Sequence, residues 1–210
     1  MMKKFVVIAM ALVCGFQLAA QDSGISKSKE YWISTPLPQN FNPFSLTFDY
    51  KVNLKNNTWL SFSALNLAFQ YNENKPVNSY DFKTSSLYYS GGVGFGLEFR
   101  KTLTPKLTLF HGPQLHYTYS NEVFTTYDPS YAADQRKILT SRHAGGINYP
   151  IGLMYSINDH LFVAAQLTPG AALHYTDYEN RINPAFGSKS TSGSFGFTDN
   201  VGSVSIVLRR

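Results

Sequence analysis

From residue 28 onward, apolar side chains alternate with small or polar ones at every second position. A period of two fits strands and excludes amphipathic helices. Across residues 86–100 the odd positions are Leu87, Tyr89, Gly91, Val93, Phe95, Leu97 and Phe99, against Tyr88, Ser90, Gly92, Gly94, Gly96, Glu98 and Arg100. Residues 43–53 divide likewise, with Phe44, Leu46, Phe48, Tyr50 and Val52 opposing Ser45, Thr47, Asp49, Lys51 and Asn53. The same division runs through 106–120, 145–158 and 160–175. It is less regular in 59–71, where Leu60 and Phe62 join an otherwise small face, and in 195–208, which settles into Val204, Ile206 and Leu208 near its end. A shorter run, 29–35, brings the expected strands to eight. No stretch sustains a 3.6-residue period, so essentially no helix is expected in this part of the chain.

The first twenty residues stand apart. Lys3 and Lys4 precede an apolar run, 5–16, and small residues, Ala19 and Ala20, close the segment. This is the pattern of a secretory signal peptide, and its apolar part is shorter than the roughly 20 residues that a membrane-spanning helix needs. Residues 1–20 are therefore read as a signal peptide and 21–210 as one domain. The single cysteine, Cys14, lies in the leader, so neither disulfides nor thiolate zinc sites are expected to hold the fold. Charged residues make up 15% of the chain and aromatic ones another 15%, whereas charge is usually about a quarter of a soluble domain. An aromatic-rich, charge-poor chain does not read as disordered. Its net charge of +5 is modest and scattered, which excludes a nucleic-acid surface.

Three features place the apolar faces outward. The opposite faces are dominated by small residues, which suit a crowded barrel interior. Connections alternate between short (53–57, 101–105, 158–159) and long (71–84, 120–142, 176–194). Aromatic residues of the apolar faces gather in two tiers: Tyr50, Trp59, Phe99 and Tyr155 beside short turns, and Tyr71, Tyr89, Tyr117, Tyr119 and Tyr175 beside long loops. Two such girdles, with short turns at one end and long loops at the other, characterise outer-membrane barrels. In hydrocarbon each unpaired backbone group costs several kcal/mol, so a spanning sheet must close on itself. The expected fold is all-β, an eight-stranded antiparallel up-and-down transmembrane β-barrel.

The run Tyr88-Tyr89-Ser90-Gly91-Gly92-Val93-Gly94-Phe95-Gly96-Leu97 resembles strands of the small outer-membrane β-barrel domains of the OmpA/OmpX type from Gram-negative bacteria. The resemblance is one of pattern and extends over nearly all of residues 21–210. It implies a porin-like barrel in the outer membrane, surrounded by lipid, monomeric, with both termini on the periplasmic side. Such barrels usually end in an aromatic residue. This chain ends Val207-Leu208-Arg209-Arg210, which leaves Leu208 in that place.

An eight-stranded barrel has an interior that side chains can fill, and parity puts Leu60, Phe62, Phe110, Met154 and Phe162 inside. Asp49, Lys51, Glu98, Arg100 and Lys106 map to the short-turn end of the lumen, as an ion-pair plug or a gate for small ions. His116 and His174 are read as polar lumen lining, since two histidines are far from a metal-ligand set. His143 beside Ser141 resembles the histidine and serine of outer-membrane lipid A acylhydrolases only loosely. The glycines of 91–96 lie mid-strand with no following helix, unlike a phosphate-binding loop. No catalytic residue, cofactor or metal site is expected. The long loops carry Tyr80, Tyr127, Tyr131 and Phe186, and loops on a rigid scaffold are where binding resides. The expected role is structural or surface-binding, through an extracellular ligand at those loops. A narrow small-solute or ion pore is the first alternative, and a soluble exported barrel binding a small apolar ligand the second.

Overall fold

The computed structural model describes residues 28–37, 45–55, 57–74, 83–133, 135–196 and 202–210. The expected leader and Tyr80 lie outside the described residues. The ladders are β1 (Lys29–Pro36), β2 (Ser45–Lys55), β3 (Thr58–Asn74), β4 (Thr84–Thr104), β5 (Leu107–His111), β6 (Gln114–Thr126), β7 (Lys137–Asn148), β8 (Ile151–Ser156), β9 (Leu161–Leu167), β10 (Gly170–Asn180), β11 (Ser188–Gly196) and β12 (Gly202–Arg209). One 3₁₀ turn, Pro184–Phe186, interrupts the β10–β11 connection; no α-helix occurs among the described residues.

Joined across three short breaks, these twelve ladders form nine strands, of which β11 and β12 pair with the two parts of one, β10 and β9. Two residues only, Gly112-Pro113, Tyr149-Pro150 and Thr168-Pro169, separate β5 from β6, β7 from β8 and β9 from β10. Each break contains a proline, which has no N–H to give to a ladder. The breaks lie at one level of the wall: Gln114 pairs with Asn148 on one side of them, and His111 with Ile151 on the other. Neighbouring amides span this seam, Leu97 N–H to the Pro113 carbonyl at 3.0 Å, Gly112 N–H to that of Pro150 at 3.1 Å, and Tyr149 N–H to that of Pro169 at 2.8 Å.

On the short-turn side the sheet is a closed ring. Every pairing is antiparallel, β1 with β2, β2 with β3, β3 with β4, β4 with β5, β5 with β8, β8 with β9, β9 with β12, and β12 back to β1. Closure gives every strand of this half two neighbours and removes the sheet edge. On the long-loop side β3, β4, β6, β7, β10 and β11 continue as one ladder, whose outer face stays apolar as far as the second aromatic tier and turns polar beyond it. There the strands run further than expected. The segments 120–142 and 176–194, expected from sequence to be loops, are strand for much of their length, because β6 reaches Thr126, β7 begins at Lys137, β10 reaches Asn180 and β11 begins at Ser188, and β3 runs into the segment 71–84 as far as Asn74.

The apolar faces point outward. Leu97 is 38% exposed, Ile151 44%, Val163 38% and Leu173 69%. The interior of the closed half holds Trp32, Phe110, Met154, Phe162, Ala164 and Val207 as a buried cluster. Two expectations need correction. Leu60 and Phe62 do not plug the lumen: they pair across β3–β4 with outward Leu97 and Phe95, and the Phe62 and Phe95 rings lie 5.2 Å apart. Trp59 does not belong to an outward girdle; it is 5% exposed, inside the barrel. Both errors have one cause. The β3–β4 register shifts between Leu65 and Ala68, where Asn66 takes φ of 48°. A one-residue bulge exchanges the two faces of a strand, so even positions face out below Asn66, and Leu67, Phe69 and Tyr71 face out above it.

Candidate functional site

The site with the densest chemistry is the closed end of the lumen, to which every strand of the ring contributes. Register places the charges together. Glu30 on β1 is opposite Lys51 on β2 and Arg209 on β12, and Glu98 on β4 is opposite Trp59 on β3. Glu30 is fully buried and receives two parallel bonds from Arg100, at 2.7 and 2.6 Å. It also accepts from Arg209 Nε at 2.8 Å and from the Trp32 indole N–H at 2.9 Å. Arg100 Nε gives a further bond to Glu98 at 2.6 Å, and Lys51 pairs with the other Glu98 oxygen. Bidentate guanidinium–carboxylate pairs are the strongest of such bonds.

The cations are also sandwiched by rings. Lys51 Nζ sits 3.4 Å from the Trp32 ring centre, Arg100 lies 3.9 Å from that of Trp59, and Arg209 4.1 Å from that of Phe162. Desolvated contacts of this kind are worth about 2 kcal/mol or more. Beneath them Trp32 meets Phe110 edge-on at 5.2 Å. Phe110 is paired with Gly152 across β5–β8, and its ring occupies the space a side chain at 152 would need. The result is a plug in which carboxylates, cations and aromatic faces satisfy one another.

The structure brings Lys51, Glu98 and Arg100 of the expected charge cluster into direct contact. Asp49 lies beside them, lining a cavity of about 50 Å³ with Lys51 and Glu98. Lys106 does not join: it is exposed in the β4–β5 turn, because the lumen-facing parity ends where the strand does. Sequence reasoning missed Glu30, Trp32 and Arg209. Their signal was present, since Glu30 and Trp32 alternate with outward Tyr31 and Ile33, and Arg209 alternates with Ile206 and Leu208. Counting Glu30, Asp49 and Glu98 against Lys51, Arg100 and Arg209, the lumen holds three carboxylates and three cations.

Beyond the plug, a polar cavity of about 80 Å³ is lined by Ser34, Thr47, Gln114, His116, Asn148 and Ser203, among others. Asn148 Oδ1 and Ser203 Oγ have no hydrogen-bond partner among the described residues, which suits a space open to water. Gln114 donates to Ser63 Oγ at 2.7 Å across the face of Gly94. His174 bonds to Ser194 Oγ at 2.7 Å, and His116 is a buried wall residue. Among the described residues no group of three or more histidine, cysteine or acidic side chains could hold a metal.

On the outer surface, Tyr50, Phe99 and Tyr155 lie toward the short turns, and Tyr71, Tyr89, Tyr117, Tyr119 and Tyr175 toward the long loops. Tyr31 joins the first tier, 5.4 Å from Tyr50. The second tier is knitted by His143, whose Nδ1 bonds to the Tyr117 hydroxyl at 2.7 Å and whose ring lies 4.9 Å from Tyr119 and 6.0 Å from Tyr175. Ser141 accepts instead from Asn121 at 2.8 Å. The His143–Ser141 pair is thus divided between different partners.

No protein-family model matches the chain, and no curated protein matches it. Solved structures do. A major outer membrane protein of Thermus thermophilus is 9% identical, with a TM-score of 0.52, over 89% of this chain and 100% of that one. Ail, the attachment invasion locus protein of Yersinia pestis, is 15% identical with a TM-score of 0.35, covering 88% of this chain and 96% of that one. CarO2 of Acinetobacter baumannii is 8% identical with a TM-score of 0.36, covering 88% and 98%. At these identities the first likeness concerns the fold, which is that of an outer-membrane β-barrel protein.

Proposed function

We propose that the protein resides in an outer membrane as a monomeric, non-catalytic barrel whose long-loop end is a rigid contact surface outside the cell. One observation carries this reading: a closed ring of strands turns its large apolar side chains outward and fills its interior with ion pairs. In water that arrangement would expose Val93, Phe95, Leu115, Ile147 and Leu173 while burying charge. In lipid the apolar faces meet hydrocarbon, while the charges inside remain matched to one another. The polar ladder beyond the second aromatic tier supports the second half of the reading. It ends in exposed Tyr127 and Phe186 and in β11, whose Ser188–Ser192 are all exposed.

Membrane fractionation combined with heat-modifiable mobility on gels tests the location. The protein is expected in the outer-membrane fraction, with a compact fast-running form that slows after boiling. Recovery from an aqueous extract without detergent would overturn the proposal and favour a soluble barrel. Planar-bilayer recordings on the purified protein test the pore alternative. The plug of Glu30, Lys51, Glu98, Arg100 and Arg209 opposes a continuous lumen, so no discrete conductance is expected.

A further inference from the structure

The two ends of the barrel differ in charge, although both carry many cations. At the long-loop end Lys83, Arg181 and Lys189 each have a carboxylate partner, Glu73 at 3.1 Å, Glu179 at 2.7 Å and Asp177 at 3.3 Å, and Arg136, Lys137 and Arg142 share that end with Glu122 and Asp128. The short-turn end has Lys29, Lys55, Lys101, Lys106 and Arg210, none of whose side chains forms an ion pair among the described residues, and one exposed acidic side chain, Asp159. Glu30 and Glu98 also lie at that end but are buried and committed to Arg100, Arg209 and Lys51.

The free cations are not scattered around the rim. Arg210 follows β12, Lys29 begins β1, Lys55 ends β2, and Lys101 and Lys106 flank the β4–β5 turn. In the order of the ring these strands run from β12 to β5 with only β3 among them carrying no such cation, so the cations form an arc over that sector. Asp159 lies in the β8–β9 turn, on the remaining sector. Parity also matters. Lys29 is two residues from outward Tyr31, Lys101 two from outward Phe99, and Arg210 two from outward Leu208. Their side chains therefore leave the same face that carries the aromatic tier, one step nearer the rim. Exposed Leu54 and Leu103 lie among them, each one residue from the end of its strand.

We propose that this arc binds the anionic headgroups of phospholipids in the leaflet that surrounds the short-turn end. The proposal rests on the membrane reading above. An arc spread over several strands at the height where apolar wall gives way to water fits a shell of lipids, whereas a single soluble anion needs its cations in one pocket. Long cationic side chains on an apolar wall extend their stems along it and hold their heads at the interface. Each lysine or arginine near an anionic surface is worth about a fivefold gain in association at low salt, and the gain falls as salt shortens the screening length.

The test reconstitutes the full protein into bilayers of phosphatidylcholine mixed with phosphatidylglycerol and measures, by native mass spectrometry, which lipid stays bound after release. Phosphatidylglycerol is expected to be retained over phosphatidylcholine, less so at high salt. The combined variant Lys29→Gln, Lys101→Gln, Lys106→Gln and Arg210→Gln should lose that preference. Lys83→Gln with Lys189→Gln, at the other end, should keep it. Equal retention of the two lipids by the unaltered protein overturns the proposal, whatever the variants do, and so does an equal loss in the long-loop variant. Protein that never enters the bilayer overturns the membrane reading itself, an outcome distinct from insertion without lipid preference.

Discussion

The seam of Gly112-Pro113, Tyr149-Pro150 and Thr168-Pro169 divides the molecule into halves built on different physics. On the short-turn side all strands have two neighbours, one face is apolar, and the other packs into the Glu30–Arg100–Trp32–Phe110 plug. On the long-loop side β10 and β11 pair through nine residues, yet Ser188 to Ser192 are exposed and the ladder is held by backbone bonds with a few surface ion pairs. The first half is over-determined by closure, burial and charge pairing. The second is carried by its attachment to the first. Among the described residues, β11 pairs only with β10, so hydrogen exchange is expected to be slow throughout β12 and fast at the outer-edge amides of 188–193. Uniform protection along both would erase the distinction.

Substitutions sharpen the contrast. Glu30→Gln removes the carboxylate that serves Arg100 and Arg209 and leaves the buried Arg100 and the part-exposed Arg209 short of a partner. A loss of about 3–5 kcal/mol is expected from breaking a buried pair, read from denaturant unfolding in detergent. A loss below about 1 kcal/mol, typical of exposed pairs, would show that the plug does not hold the closed half. Gly152→Val places a side chain in the volume of the Phe110 ring. About 1–3 kcal/mol is expected from the overpacking, with part regained when Phe110→Ala is added, since residues in contact are not additive. Simple additivity would mean that the two do not touch.

Smaller effects belong to the outer face and the upper ladder. Tyr117→Phe deletes the hydroxyl bonded to His143, and a change of about 0.5–1.5 kcal/mol is expected. Lys83→Gln should leave the unfolding midpoint where it is, because its pairing with Glu73 is exposed and easily screened. The hydrogen bond from Lys83 to Glu73 raises the Lys83 pKa. Whatever it contributes is therefore present below the ordinary lysine value, about 10.4, and is lost as pH rises through the raised one. Protection at the start of β4, measured relative to the intrinsic hydroxide-catalysed exchange rate, should fall only in that alkaline range, and a fall near neutral pH would contradict the pairing.

Which parts are legible in the sequence follows from the same division. Alternation in 86–100, 106–111 and 151–167 is readable because one face meets an apolar surround and the other a crowded lumen. The far ends of the upper strands, beyond the second aromatic tier, look like loops because both their faces are wet, so no periodicity marks them, and the ladder bonds are made by backbone that carries no sequence signal. A single parity carried through Asn66 puts Trp59, Leu60 and Phe62 on the wrong faces. Asparagine tolerates a left-handed conformation better than most residues, and its place between two out-of-phase runs is the available clue. Glu30 and Arg209 escape notice for a different reason. Each lies near the end of a described strand, where only the partner strand reveals that a charge has been buried.

The most direct test of the account measures where the apolar wall points. Nitroxides placed singly at Leu97, Leu109, Ile151 and Val163, with Ala164 and Ser205 as inward references, would report accessibility to lipid-dissolved oxygen in reconstituted bilayers. The account predicts high oxygen accessibility at all four and low accessibility at the two references. Four sites shielded from oxygen, with the references exposed, would mean that the barrel is inside out.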